Sequence, residues 1–209
     1  MFLEEVGKVK LDMVHDLQSV YRKLVHAYSR PGQLANLRKE AAIVREDGNE
    51  ECPAPILLIA LTLFDQEVTF KVLSEKAGMI TKTINQLTYA KQGEIEEADY
   101  ILVLKDAETG ALNKAIEKAK SGTLKNPHSS ATIIIEVKEI TAEPVLELKG
   151  PGIKTAEYVH VELAENWVES RQSKNKEFPL GVDLMFVDQQ DQLLSVPRTT
   201  QISENRVMV

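Results

Sequence analysis

The sequence predicts a single α/β domain over residues 1–209, a three-layer α/β/α sandwich with a mixed central sheet. Three observations predict it. Ala131-Thr132-Ile133-Ile134-Ile135-Glu136-Val137 is a continuous apolar, β-branched run, the pattern of a strand covered on both faces. Through the first two thirds of the chain, stretches with helical spacing alternate with such strands. The end is richer in strands: residues 182–187 and 193–196 flank the polar turn Asp188-Gln189-Gln190-Asp191, as in a β-hairpin.

Taken in order, residues 13–28 carry Val14, Leu17, Tyr21, Leu24, Val25 and Tyr28 at three- and four-residue steps, which predicts one apolar helix face. Pro31-Gly32 ends that helix, because proline disfavours helical geometry in Arg30 and glycine permits a turn. Residues 34–43 are expected to hold one or two short strands. Pro53 and Pro55 suit the first turn of a second helix, where missing backbone donors cost little. Residues 56–64 are apolar nearly all round, so this helix should lie in the core. Asp65-Gln66 then turns the chain into Val68-Thr69-Phe70-Lys71-Val72, a strand. A helix over 78–90, a buried strand over 99–104 and a helix over 108–120 follow, the last stopped by Ser121-Gly122. Residues 145–148 alternate as a half-exposed strand leading into Gly150-Pro151-Gly152, and residues 162–172 predict a helix.

The charge balance narrows the partners. Lys plus Arg number 25 against 32 Asp plus Glu, a formal net charge of -7, and no basic stripe gathers the cations. Such a surface repels nucleic acid. The longest apolar stretch, residues 56–64, is far short of the ~20 residues that cross a bilayer, so no membrane association is expected. Cys52 is the only cysteine and cannot form an internal disulfide, as suits a reducing cytoplasm. Followed by Pro53 and an apolar segment, it reads as a buried packing residue rather than a nucleophile.

Self-sufficient chemistry is not legible. There is no Gly-x-Gly-x-x-Gly, no phosphate loop and no Gly-x-Ser-x-Gly elbow. His15, His26, His128 and His160 lie far apart in sequence, so no metal site is predicted. Three short segments stand out. Ser29-Arg30-Pro31-Gly32 makes a sharp helix exit. Gly150-Pro151-Gly152-Ile153 permits close backbone approach, which serves either a tight strand connection or an anion held on backbone N–H groups. Phe178-Pro179-Leu180-Gly181-Val182-Asp183 enters a strand and Pro197-Arg198-Thr199-Thr200 leaves one. Asp183, in an apolar strand, needs solvent or a partner. Arg198 could hold that carboxylate or an anion by two parallel bonds, with Thr199 and Thr200 adding hydroxyls. A structural bridge and an anion-binding site both remain open.

In order and spacing, these segments resemble the H subunit family of the bacterial carbon–phosphorus lyase core complex. The resemblance is carried by Ser29, Pro31 and Gly32; by Gly122-Thr123, Pro127 and Ala131-Thr132; and by Gly150, Gly152 and Ile153. It continues through Phe178, Pro179, Leu180, Gly181, Val182 and Asp183, then Leu193-Leu194 and Pro197-Arg198-Thr199-Thr200. It spans residues 17–202 and is weak over 74–120. That family looks like a reduced large domain of the pyridoxal-phosphate-dependent transferases without the cofactor-binding lysine, so no cofactor is expected. The resemblance implies a homodimer that assembles with the G, I and J subunits. It implies a required but non-catalytic role in coupling a phosphonate to the ribose C1 of ATP, with release of adenine. An independent enzyme or anion-binding protein using Asp183 and Arg198 is the alternative.

Overall fold

A computed structural model describes residues 10–48 and 51–205. The chain opens with α1 (His15–Ser29), the two-residue strand β1 (Ala35–Asn36), α2 (Arg38–Glu46) and α3 (Ala54–Leu63). Strands and helices then alternate: β2 (Thr69–Leu73), α4 (Ala77–Thr88), β3 (Lys91–Gln92), β4 (Tyr100–Val103), α5 (Ala111–Lys118) and β5 (Thr132–Glu136). Next come β6 (Ile140–Lys149), β7 (Glu157–Val161), α6 (Trp167–Lys174), β8 (Asp183–Val187), β9 (Gln192–Val196) and β10 (Gln201–Glu204).

The apolar run at residues 131–137 sits at the centre. As β5 it is the middle strand of a seven-stranded sheet ordered β1-β9-β8-β5-β4-β2-β3. Strands β3, β2, β4, β5 and β8 run parallel, and β9 and β1 close one side antiparallel, so the sheet is mixed. Successive side chains of a strand point to opposite faces. Leu102, Ile134, Met185 and Val187 therefore pack with α1, α2, α3 and α4. Ile101, Val103, Ile133, Ile135, Leu184 and Phe186 pack with α5, α6 and a second, three-stranded antiparallel sheet ordered β10-β6-β7. Among the described residues, no helix is long and apolar enough to cross a membrane.

Several expectations need correction. Residues 34–43 give only β1 before the chain becomes α2. Leu37, Ala41 and Val44 are all buried, and their four- and three-residue spacing makes a helix face. Residues 162–166 are not helical, and α6 starts at Trp167. The segment before it is committed elsewhere: the Glu165 carboxylate accepts from the backbone N–H of Gly110 at 2.9 Å and of Asn113 at 3.1 Å, capping α5. In α1 the buried residues are Val20, Leu24 and Ala27. Val14, Tyr21, Val25 and Tyr28 stay exposed instead, because the helix carries two apolar stripes and the sheet takes only one.

Candidate functional site

The β8–β9 hairpin sets the geometry of the last third of the chain. Its turn is fixed by Asp188, whose Oδ1 accepts from the backbone N–H of Gln190 at 2.9 Å and of Gln192 at 2.8 Å. Asp191, in the same turn, accepts from the Arg45 guanidinium at 3.0 Å, tying the hairpin to α2. Because β8 and β9 are paired antiparallel with Leu184 opposite Val196, the strand start at Asp183 meets the strand exit at Pro197.

Asp183 lies 6% exposed at the amino edge of the parallel strands, opposite Thr132 of β5. Its Oδ1 accepts from the Arg198 backbone N–H at 2.6 Å. The Arg198 guanidinium stands 3.9 Å from Oδ2, too far for a hydrogen bond, and donates to Ser130 Oγ instead. The two-bond fork between Asp183 and Arg198 is therefore not made; a main-chain donor holds the carboxylate. Tyr28, at the end of α1, stands beside Asp183 with part of its ring exposed. Loss of water first, and then that carboxylate, raises the phenol far above its ordinary pKa.

Beneath the exit turn lies Arg171 of α6, 2% exposed. One of its terminal nitrogens donates to the Pro197 carbonyl at 2.7 Å and to the Thr200 carbonyl at 3.0 Å. Burial lowers its pKa to about 10, with Asp183 pulling the other way, so it stays charged at neutral pH. Thr200 closes the turn by donating its N–H to the Pro197 carbonyl at 2.9 Å. The Thr200 hydroxyl and Arg171 Nε are buried without a protein partner.

The glycine turn interlocks with both neighbouring segments. At Gly152 (φ +86°) an added Cβ would strike the Ser29 carbonyl and come within 3.0 Å of Pro31 Cδ. At Gly150 (φ +140°) it would sit 3.0 Å from the Thr199 carbonyl oxygen. Gly32 packs in the same way on Glu157, and Gly181 on Asn175. The Asn175 amide brackets Val182, accepting from its N–H at 2.8 Å and donating to its carbonyl at 3.0 Å. Pro179 follows a cis peptide bond from the exposed Phe178. The segments singled out in the sequence thus meet at one end of the molecule. Tyr28, Ser130 and Arg171 join them there without having been singled out. Arg171 stands in Glu169-Ser170-Arg171-Gln172, a stretch no different in composition from a solvated helix face.

Among the described residues, no group of three or more His, Cys, Asp or Glu side chains is placed to hold a metal ion. What the signature end does show is a set of turns locked together through main-chain contacts. A family model described as bacterial phosphonate metabolism protein (PhnH) matches residues 10–203. The chain belongs to the PhnH family. It is 29% identical over 187 residues to a Stutzerimonas stutzeri protein named as a C-P lyase subunit, HtxG, covering 89% of this chain and 85% of that one. It is 27% identical over 199 residues to alpha-D-ribose 1-methylphosphonate 5-triphosphate synthase subunit PhnH of Rhizobium meliloti (strain 1021), covering 91% and 92%. The PhnH match takes in all the interlocking segments, from Ser29 to Thr200.

Proposed function

We propose that this chain is a required, non-catalytic subunit of a carbon–phosphorus lyase complex, in which it supports the coupling of a phosphonate to the ribose C1 of ATP with release of adenine. Membership of the PhnH family carries the reading, and both relatives are named as subunits. The signature end supports it. The Asp183 carboxylate, the Gly150 and Gly152 turn and the Pro197–Thr200 exit are spent on one another, and the Thr200 hydroxyl is shut off from water. In this reading Asp183, Arg198, Thr199 and Thr200 fasten the fold, and a soluble, cytoplasmic chain works through its surfaces. The fold is a three-layer α/β/α sandwich, a reduced form of the pyridoxal-phosphate transferase large domain; helices on both faces of a mixed sheet support that description.

The subunit is a homodimer built on α1 that docks the G, I and J subunits. The outward residues Val14, Tyr21, Val25 and Tyr28 form an apolar stripe of the kind that marks interaction surfaces. An isologous pair of antiparallel α1 helices centred on Tyr21 would set Val14 against Tyr28. The same pairing would set Asp12 near Arg30, so opposite charges meet at the helix ends. Light scattering on the purified chain tests the dimer: wild type runs as a dimer and Tyr21→Asp as a folded monomer. A dimer unaffected by Tyr21→Asp removes α1 from the interface, and a wild-type monomer leaves the stripe to another subunit. Co-expression with the neighbouring operon products tests the function. A stable complex containing this chain is expected, and recovery of the chain only as a free species would overturn the assignment.

A further inference from the structure

At the opposite edge of the sheet, the carboxyl ends of β2 and β4 send the chain to different sides. After β2 it enters α4, whose Ile80 and Ile84 pack with α1 and α3 on one face. After β4 it enters α5, whose Leu112, Ala115 and Ile116 pack on the other face. Neighbouring parallel strands whose connections leave on opposite faces open a crevice beyond their carboxyl ends, and ligands of open α/β sheets bind there. In this chain the position holds a cleft of ≈ 640 Å³, within the range of small-molecule sites. Ser74, Asp106 and Glu136 line it from beyond β2, beyond β4 and the end of β5, and Ala54 and Lys76 from the starts of α3 and α4.

Two carboxylates of this lining are short of donors. The Glu136 side chain is 11% exposed, yet its partners are the Lys105 backbone N–H at 3.3 Å and the Lys105 ammonium at 3.8 Å, both long. Asp106 Oδ2 accepts from Ser74 Oγ at 3.0 Å, while Oδ1 is out of contact with water and unpartnered. A carboxylate removed from water with so few donors is costly, and a ligand supplying hydroxyls would relieve it. Elsewhere the lining favours an anion. The start of α3 has no side-chain cap and, because Pro53 and Pro55 carry no N–H, offers the cleft the backbone N–H of Ala54; Lys76, exposed at the start of α4, brings an ammonium. Of the other charged groups of the cleft, Glu51 accepts from Thr83 Oγ1 at 2.6 Å, Arg45 is held by Asp191, Lys105 is the partner of Glu136, and Glu75 is exposed beside Lys76. Burial, and then Glu136, push the Cys52 thiol up to about 12, so the cleft has no thiolate nucleophile.

We propose that this crevice binds a phosphorylated sugar, with hydroxyls donating to Glu136 and Asp106 and the phosphate held by Lys76 and the Ala54 backbone N–H at the start of α3. The inference stands on the cleft alone and is tested on the isolated chain, whatever that chain assembles with. Ribose 5-phosphate, ribose and inorganic phosphate are titrated separately into the full-length protein by calorimetry. Ribose 5-phosphate binds saturably and most tightly of the three. Glu136→Gln weakens its binding by about tenfold, the loss of one charge-assisted hydrogen bond, and leaves any phosphate binding unchanged. Lys76→Ala weakens ribose 5-phosphate and phosphate together, and Arg198→Ala, at the far edge, changes neither. Asp106→Asn serves the hydroxyl side if Glu136→Gln does not fold. Displacement of ribose 5-phosphate by ATP identifies a nucleotide as the source of the sugar phosphate; persistence of the bound sugar identifies the free compound. Absence of saturable ribose 5-phosphate binding to wild type overturns the proposal, as does binding that survives both Glu136→Gln and Lys76→Ala.

Discussion

Gly152→Ala tests whether the signature end is a set of interlocked turns. Two costs are expected. The first is conformational: holding an L-residue at φ +86° costs about 1–2 kcal/mol. The second is steric, because the new methyl group is driven into the Ser29 carbonyl with Pro31 Cδ 3.0 Å away. Relieving it means parting the glycine turn from the end of α1, and overpacking of this kind costs about 1–3 kcal/mol. Gly110→Ala isolates the first cost, since Gly110 has nearly the same φ, +87°, and nothing within 4 Å of an added Cβ. Urea unfolding followed by circular dichroism should therefore show Gly110→Ala destabilised by about 1–2 kcal/mol and Gly152→Ala by about 2–5 kcal/mol. Equal losses would refute the interlock, because they would mean that Ser29 and Pro31 yield freely to the methyl group.

Other predictions concern buried polar groups. Glu40 is 1% exposed; burial alone would raise its pKa, but hydrogen bonds from Lys23 and Ser19 outweigh burial and hold it below the usual value. Its stabilising contribution is thus present above the ordinary carboxylate range and is lost as pH falls through the depressed folded value. Thermal unfolding across acid pH should show that loss in wild type and a shallower decline in Glu40→Gln. Lys23→Ala, which strands the buried carboxylate, should destabilise at neutral pH by about 3–5 kcal/mol, and a loss below 1 kcal/mol would discount the pair. Arg171→Lys removes the planar group that reaches two carbonyls, so urea unfolding should show a loss of about 1.5–3 kcal/mol, one charge-assisted hydrogen bond; an unchanged midpoint would contradict the strut. Cys52, with its thiol pushed up to about 12, should resist a disulfide reagent at pH 8 in the folded protein and react at once in urea. Rapid labelling of the native chain would show that the thiol is not buried.

The parts of the fold legible in the sequence are those whose pattern depends only on near neighbours. Ile133, Ile134 and Ile135 announce a doubly covered strand because both faces of β5 are buried. The β8–β9 hairpin is announced by two apolar runs around a polar turn. The second sheet is legible only in part. The alternation of residues 145–148 reveals the end of β6, but Pro144 sits where the β6–β7 register shifts and the outward residues 142–145 hide its start, while β7 and β10 are not announced. The outward face of α1 is not legible, because Tyr21 and Val25 recur at the same helical spacing as Leu24 and only the sheet decides which stripe it takes. The site divides in the same way. Asp183, Arg198 and the two glycines stand out locally by residue type, but Arg171 gains its meaning only by packing beneath a turn 26 residues later. The crevice is assembled from segments near residues 54, 76, 106 and 136, which no local pattern connects.

The claim that this chain is a working part of a larger phosphonate-metabolising assembly is tested most directly by reconstitution. Purified partner subunits are supplied with ATP and a phosphonate, with and without this chain, and adenine release is measured. The account predicts coupling only when the chain is present, with activity retained by Cys52→Ser, whose buried thiol has no part in it. Full coupling in the absence of the chain would contradict it.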